Sequence, residues 1–291
     1  MLSRLQLILA SVTILLVAQT AFSDTIRAPA GSGASTLAPN DDGSTGAINL
    51  GFSVDFFGAL SSSVFVNNNG NVTFTSPLSQ YTPNGLATGI GQPIIAPFFA
   101  DVDTRGTAGG SNPVNSGAVT YGTGLITDAT LGWNNNNVFA VEWPDVGYYG
   151  EHTDKLNDFE LLLVDRSDVG AGDFDIEFNY DQMQWETGDA SGGSDGLGGV
   201  SAVAGYSNGM SGVSNIYYQL SGSLINGALI DGGPNALTSH DINSSVPGRY
   251  DFQVRNGAVI TPPPETPEPG TWLTLAGGIA GLALLRRSRK A

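Results

Sequence analysis

The chain has 291 residues, of which 41% are hydrophobic and 13% charged, with 40 glycines, 15 prolines and no cysteine. This composition excludes a disordered tail, a disulfide framework, a thiolate zinc site and a cysteine nucleophile. The formal net charge of −16 opposes binding to nucleic acid or to anionic membranes, and it favours solubility or divalent cations.

The N-terminus predicts a signal peptide over residues 1–23. Arg4 precedes an apolar run from Leu5 to Ala18, and small residues at Ala21 and Ser23 occupy the two positions that signal peptidase reads. We therefore expect cleavage between Ser23 and Asp24. The alternative, an N-terminal membrane helix, requires roughly 20 apolar residues, and this run is shorter.

The next segment, residues 24–47, is predicted to be a flexible lead-in because it is small, polar and rich in Gly, Ser and Pro. Residues 48–256 are then predicted to form one β domain. Apolar side chains fall on every second position of 48–56, 173–180 and 250–255, which is typical of strands. For the last two segments, the alternation predicts one face in the core and one in solvent.

Two other segments define the predicted sheets. The run from Leu161 to Val164 is apolar on both faces, so it should lie inside a sheet. Asn69 and Gly70 separate two short β runs and tolerate positive φ, which predicts a hairpin turn. Because the body lacks sustained 3.6-residue periodicity, we predict an all-β, antiparallel β-sandwich. Short hydrophobic helices are expected only at the two termini.

Asp101 and Asp103 are the predicted metal ligands. In an extended segment their side chains point the same way, and calcium prefers several oxygen ligands of this kind. An ion pair between Asp103 and either Arg105 or Arg249 is the alternative, as is an ordinary solvated strand end. Calcium is the only cofactor that the sequence suggests.

One stretch matches a catalytic motif. Gly205–Gly209 fits G-x-S-x-G, and Asp231 and His240 follow Ser207 in the order found in α/β-hydrolases. That motif requires a helix after the serine, whereas the residues after Gly209 are rich in Gly, Ser and β-forming types. A turn serine is therefore preferred, and a secreted hydrolase using Ser207 and His240 is the alternative. With His152 as the only other histidine and no thiol, a zinc or copper site is not expected.

The large aromatic residues have two interpretations, a carbohydrate- or protein-recognition surface or a sandwich core. Trp143 and Trp185 lie in apolar strand contexts and are assigned to the core. The full set is Trp133, Trp143, Tyr148, Tyr149, Trp185, Tyr217 and Tyr218.

Successive blocks between Ile48 and Arg255 resemble the nidogen extracellular domain family. The most specific blocks are Ala-Pro-Phe-x-Ala-Asp-Val-Asp at 96–103 and Asn-Tyr-x-x-Met-Gln-Trp at 179–185. The resemblance implies an extracellular β domain that is associated with cell-matrix adhesion and is not an enzyme. It also implies that Ser207 is not catalytic. The family-motif residues are Asn69, Gly70, Pro97, Phe98, Asp101, Asp103, Asn179, Tyr180, Met183 and Trp185.

The C-terminus is predicted as a Pro-rich linker over 257–266 and a sorting signal over 267–291. Pro267, Glu268 and Pro269 precede an uncharged run, Thr271–Leu285, and a basic tail; this order resembles the PEP-CTERM signal of Gram-negative bacteria. The tail contains Arg286, Arg287, Arg289 and Lys290.

The resemblance implies recognition by an exosortase, a membrane transpeptidase, while the run and the tail hold the chain transiently in the inner membrane. A helix of fifteen residues would extend about 22 Å, against about 30 Å for the hydrocarbon core of a bilayer. This shortness favours a temporary span. A permanent tail anchor is the alternative.

These interpretations predict an exported bacterial surface or extracellular-matrix protein that mediates cell-matrix adhesion or associates with biofilm exopolysaccharide. The expected partners are signal peptidase and an exosortase during processing. Afterwards the expected partner is a matrix component, an exopolysaccharide or a cell-surface ligand. Nucleic acid is not an expected partner.

Overall fold

The computed structural model describes residues 25–27 and 35–260, so the predicted signal peptide, with its cleavage site, and the predicted sorting signal lie outside the described residues. Within the described part, sixteen strands and three short 3₁₀ helices are present. The strands are β1 Ser35–Thr36, β2 Ile48–Phe56, β3 Ala59–Asn67, β4 Asn71–Thr73, β5 Ile94–Phe99, β6 Val102–Asp103, β7 Thr120–Asp128, β8 Trp133–Tyr148, β9 His152–Asp165, β10 Phe174–Met183, β11 Gly193–Ser194, β12 Leu197–Gly198, β13 Val203–Ser207, β14 Tyr217–Gln219, β15 Arg249–Arg255 and β16 Ala258–Val259. The 3₁₀ helices are Leu86–Thr88, Asp189–Ser191 and Gly212–Ser214.

Two large antiparallel sheets form the domain, and β11 and β12 pair in a separate two-stranded sheet. The first has the order β1-β7-β8-β9-β10-β15-β16, with β6 also paired to β8, and the second has the order β14-β13-β5-β4-β3-β2. One apolar core draws side chains from both sheets, such as Val54 and Ile95 from the second and Phe139 and Leu161 from the first. The predicted all-β sandwich is therefore confirmed. No helix within the described residues is both long and apolar enough for a membrane span.

Several strands follow directly from the sequence pattern. Along β2, Leu50, Val54 and Phe56 are buried, whereas the alternating small and polar positions face outward. β9 lies between β8 and β10 in the middle of its sheet, as its doubly apolar run predicts. The predicted hairpin is also present, because Asn69 and Gly70 lie in the turn between β3 and β4 and Gly70 has a φ of 71°.

The prediction of a solvent-facing side on β10 is wrong. Asp175, Glu177 and Asn179 alternate with the core residues as expected, but all three are buried. On β15 the same prediction holds for Gln253, which is exposed, and fails for Asp251, which is buried. The outer face of the first sheet is thus covered by other parts of the chain, which a pattern along one strand cannot reveal.

Arginine side chains form most of this cover. Arg166 and Arg255 pair with Asp175, while Arg27 and Arg249 pair with Glu177. Arg27 comes from the short described segment at the N-terminus. Its Nε lies 2.7 Å from Glu177 Oε1, and its backbone N–H donates to Glu160 Oε2. The guanidinium also lies 5.2 Å from the centre of the Trp133 ring, a cation–π geometry.

Residues 35–47 of the predicted flexible lead-in are not flexible, because they are hydrogen-bonded to the domain. β1 pairs with β7, and the Leu37 N–H donates to the Val119 carbonyl. A turn then forms at 40–43, where the Gly43 N–H donates to Asn40 Oδ1. Small polar residues favour tight turns as well as flexible segments. Here the turn is held in place by hydrogen bonds between the Asn40 backbone and the Thr104 hydroxyl.

Candidate functional site

Several family-motif residues form the packed centre of the sandwich. Phe98 of β5 contacts Phe159 and Trp185, with ring centroids 5.5 and 5.7 Å away. Trp143 stacks on Phe159 at 5.0 Å, with an angle of 9° between the ring planes. The prediction that Trp143 and Trp185 belong to the core is therefore correct. These aromatic residues fix β5 against β8 and β9.

Other motif residues join the two sheets at the same place. The Tyr180 hydroxyl on β10 donates to the Pro97 carbonyl on β5 at 2.6 Å. Asn179 donates to the carboxylates of Glu160 and Glu177 on the covered face. Met183 is fully buried at the end of β10. These residues build the domain and do not form a ligand-binding surface.

The asparagines of the β3–β4 turn hold the chain segment that follows β5. Asn69 Oδ1 accepts a hydrogen bond from the Val102 N–H, and Asn69 Nδ2 donates to Asp42 Oδ1 at 2.9 Å. Asn68 Nδ2 donates to the carbonyls of Val102 and Asp41. The turn therefore brings residues 41 and 42 next to the chain segment that contains Asp101.

The two predicted calcium ligands, Asp101 and Asp103, have separate partners. Asp103 accepts hydrogen bonds from Arg105 Nε at 2.9 Å and Arg105 Nη2 at 2.7 Å, and from the Glu151 N–H. This is the alternative that the sequence left open, an ion pair with Arg105. Arg249 lies instead on the covered outer face, 3.6 Å from Glu177. With both oxygens engaged in this way, the Asp103 carboxylate is poorly placed to bind an ion.

Asp101 belongs to a different group, the Asp41–Asp42–Asp101 cluster. Each of the three offers a carboxylate oxygen within 4.8 Å of those of the other two. Asp101 is only 1% exposed, and its Oδ1 has no hydrogen-bond partner in the described structure. Its Oδ2 accepts a long hydrogen bond of 3.4 Å from the Ser191 hydroxyl. Asp41 Oδ1 is likewise buried without a partner, while Asp41 Oδ2 lies 3.2 Å from Arg105.

Burial and mutual repulsion perturb this cluster. Loss of solvation, followed by the charges of Asp41 and Asp42, raises the pKa of Asp101 to about 7. Loss of solvation, followed by the charge of Asp42, raises the pKa of Asp41 to about 6, although Arg105 opposes that rise. The ionised form of the cluster is therefore poorly neutralised by its protein neighbours.

Ser207, Asp231 and His240 do not form a catalytic triad. Ser207 is buried at the end of β13, where its hydroxyl donates to Asn215 Oδ1 at 3.0 Å and accepts from the Gly209 N–H. His240 Nδ1 lies 3.0 Å from the main-chain carbonyl four residues earlier. A short 3₁₀ helix, rather than an α-helix, follows β13. The sequence match to G-x-S-x-G lacks the geometry that the motif requires.

The seven aromatics divide between the core and the surface. Trp133, Trp143, Tyr148 and Trp185 are buried, whereas Tyr149 is only partly buried. Tyr217 is 46% exposed and, with Tyr218, it lines a groove of about 520 Å³ between the edge strands β14 and β16. We call it the edge groove. Its other lining residues are Phe57, Gly58, Tyr206, Asn208, Ile216, Asn256, Gly257, Ala258 and Val259.

Sequence reasoning misses two features of these sites. Asp41 and Asp42 fall in the predicted flexible segment, although adjacent acidic residues before a glycine are a visible signal of a turn rich in oxygen atoms. Nothing in the sequence marks Ile216 as a residue of the edge groove except its apolar side chain. Both features depend on segments that are distant in sequence and meet only in the fold.

Comparisons with known proteins give two matches along the chain. The nidogen-like domain model matches residues 62–256, and the PEP-CTERM protein-sorting motif matches residues 265–290. Alpha-tectorin of Mus musculus is 37% identical over 235 residues, and that of Gallus gallus is 33% identical over 232 residues; each match covers 76% of this chain and 10% of the relative. Nidogen of Drosophila melanogaster is 26% identical over 229 residues, covering 75% of this chain and 16% of the relative. The chain thus spans a small part of the curated relatives it matches. No solved structure gives a significant match.

Proposed function

Because this chain belongs to the nidogen-like domain family, we propose that it is a non-enzymatic adhesion protein of a bacterial surface or extracellular matrix. Its protein-sorting motif identifies an exported protein. The proposed ligand is the exopolysaccharide of a biofilm matrix, and the proposed host is a Gram-negative bacterium.

The edge groove is the observation that carries this proposal. Most large aromatic side chains are in the core, whereas Tyr217 is exposed and Tyr218 is only partly buried beside Asn208 and Asn256. Tyrosine rings offer apolar faces and a hydroxyl group, and asparagine amides both donate and accept hydrogen bonds. A concave surface with apolar walls and a few polar groups is typical of a ligand site, and this mixture suits the faces and hydroxyls of sugar rings.

The charge of the chain restricts the ligand further. With a formal net charge of −16, the protein repels an acidic polymer over a distance of about one Debye length. A neutral polysaccharide does not meet this barrier. We therefore propose neutral chains, or neutral stretches of a mixed polymer, as the bound form.

Delivery to the matrix is proposed to occur in two steps. Signal peptidase would cleave between Ser23 and Asp24, and an exosortase would then recognise the Pro-Glu-Pro sequence at residues 267–269. The short apolar run Thr271–Leu285 would hold the substrate in the inner membrane between these steps, with the basic tail on the cytoplasmic side. The sorting-motif match at residues 265–290 supports this route.

The proposal is tested by asking where the protein remains after export. Cells that lack the gene are complemented with the wild-type chain, with Tyr217→Ala/Tyr218→Ala, or with Tyr81→Ala as a matched control. Tyr81 is 39% exposed and is not among the residues that line the edge groove. The amounts retained by washed exopolysaccharide and released into the medium are then measured by immunoblot.

The wild-type and Tyr81→Ala proteins are expected in the polysaccharide fraction. The double variant is expected to be exported in equal amount but released into the medium. Equal retention of all three proteins would refute the edge groove as the binding surface. An absence of wild-type protein from the matrix fraction would refute the proposed function itself.

A further inference from the structure

We propose that the Asp41–Asp42–Asp101 cluster binds a calcium ion. The three side chains lie on the turn at 40–43 and directly after β5, and their carboxylate oxygens approach within 4.8 Å of one another. Calcium binds oxygen at about 2.3–2.6 Å, so two ligands of one ion can lie up to roughly 5 Å apart. The spacing therefore allows all three carboxylates to reach one ion without moving their backbones.

Two buried oxygens in the cluster lack any donor. Asp101 is 1% exposed, and its Oδ1 has no hydrogen-bond partner in the described part of the chain. Asp41 Oδ1 is also buried and without a partner there. An ionised carboxylate oxygen in this position is costly unless it is paired or binds a metal. A calcium ion would supply the missing positive charge at both oxygens.

The second oxygen of each carboxylate is already engaged. Asp41 Oδ2 lies 3.2 Å from Arg105, and Asp42 Oδ1 accepts from Asn69 Nδ2 at 2.9 Å. Asp101 Oδ2 accepts from the Ser191 hydroxyl at 3.4 Å. These contacts orient the carboxylates before an ion arrives, which reduces the entropy lost on binding. They also leave one oxygen of each residue available.

The chemistry of the ligands favours calcium over the transition metals. All three ligands are hard oxygens, and the cluster contains neither histidine nor cysteine. Three carboxylates beside the positive charge of Arg105 form a moderately charged site. We therefore expect a dissociation constant of about 0.1–1 mM, the range of extracellular calcium modules.

An ion at this position would connect three distant chain segments. It would join the 40–43 turn to the end of β5 and, through Ser191, to the 3₁₀ helix Asp189–Ser191. The domain has no disulfide, since the chain has no cysteine. Calcium would thus act as a cross-link that forms after export. This site is independent of the edge groove and of the proposed adhesive function.

The test is the thermal melting of the full exported protein, purified from cells and treated with a chelator, as calcium alone is added. At a calcium concentration about ten times the dissociation constant, the Tm is expected to rise by about 3–6 °C. The rise should saturate and should reverse with chelator. The same titration is repeated with Asp42→Asn, with Asp101→Asn and with Asp145→Asn, an exposed control on β8.

Asp42→Asn and Asp101→Asn are expected to lose the calcium-dependent rise, whereas Asp145→Asn keeps it. Without calcium, Asp101→Asn should melt at or above the wild-type temperature, because the amide replaces a buried carboxyl group that has one unpartnered oxygen and lies beside two other carboxylates. That result separates loss of a binding site from general damage to the fold. An unchanged Tm in wild-type protein, or an equal rise in Asp42→Asn, would overturn the proposal.

Discussion

Gly70 lies so close to Phe98 that a Cβ atom on residue 70 would be 1.7 Å from the Phe98 carbonyl oxygen. The backbone of Gly70 also has a φ of 71°, in the left-handed region. The turn between β3 and β4 thus packs its backbone directly onto β5. This contact places Asn69 against Asp42 and against Val102 of β6, so the family motif and the proposed calcium cluster depend on the same turn.

Gly70→Ala is predicted to destabilise the domain by about 2–5 kcal/mol, the sum of the left-handed penalty and the overpacking cost. Gly227→Ala is the matched control, because Gly227 has a φ of 73° and a Cβ atom added there would meet no other atom within 4 Å. The control should lose only about 1–2 kcal/mol. Urea unfolding of both variants measures the difference, and equal losses would contradict the steric explanation.

Arg27→Met is predicted to reduce stability by about 3–5 kcal/mol, because it removes the closer of the two guanidinium groups beside the buried Glu177 carboxylate and leaves only Arg249, 3.6 Å away. Lys155→Met provides the comparison. Lys155 pairs with Asp154 and Asp195 near the surface, where such pairs contribute about 0–1 kcal/mol. Both values come from denaturant unfolding. Similar losses in the two variants would show that the outer face is less well shielded from water than the structure indicates.

Stability is predicted to fall as the pH rises from about 5 to 8. Burial raises the pKa of Glu160 to about 8, and burial together with the charge of Glu177 raises the pKa of Asp251 well above its ordinary value. In this pH range each group is protonated in the folded chain and ionised in the unfolded chain. The folded state therefore binds more protons, and Glu160 lowers the free energy of unfolding by about 1.4 kcal/mol per pH unit, while Asp251 acts in the same direction.

Glu160→Gln tests this assignment, because glutamine does not titrate. Its unfolding free energy, measured in urea between pH 5 and pH 8, should fall less steeply than that of the wild type by about 1.4 kcal/mol per pH unit. Parallel pH profiles for the two proteins would count against Glu160 as a source of the effect.

Ser207→Ala is predicted to lower stability by about 1 kcal/mol, because the buried hydroxyl bonds both Asn215 and the Gly209 N–H. His240→Ala should have little effect, since His240 lies on the surface. Neither change should alter a hydrolytic activity measured in secreted material. Loss of such an activity in either variant would favour the hydrolase alternative.

Mass spectrometry of protein recovered outside the cell is predicted to find a chain that begins at Asp24 and lacks the run Thr271–Leu285. Replacing Pro267, Glu268 and Pro269 by alanine should leave the chain uncleaved and in the membrane fraction. A mature protein that retains Leu285 would support a permanent anchor.

The sequence predicts the strands more successfully than their surroundings. Alternation along β2 and the doubly apolar run of β9 depend on residues close in sequence, so both are visible. The burial of Asp175 and Glu177 depends on arginines from three other segments of the chain, and alternation along one strand carries no information about such a cover. The sequence therefore identifies the polar face of β10 and misjudges its environment.

In the candidate sites too, local patterns are visible in the sequence whereas tertiary contacts are not. Asp101 is identifiable because acidic residues near a strand end are visible in one segment. Its partners, Asp41 and Asp42, lie in a turn whose position is set by Asn68 and Asn69, a tertiary contact. The prediction that Asp101 and Asp103 bind one ion together assumes an extended chain. In the structure, Asp103 instead forms an ion pair with Arg105.

The edges of the two sheets have a consequence for how the protein behaves at high local concentration. β1 and β16 at the ends of the first sheet, and β14 at one end of the second, are only two or three residues long. β2, at the remaining edge, has a register irregularity between Asn49 and Val54. Short or irregular edges offer little template for the addition of another strand. These edges therefore disfavour strand addition by another copy in a crowded matrix, although β1 pairs with only Thr120 and Tyr121 of the nine-residue strand β7.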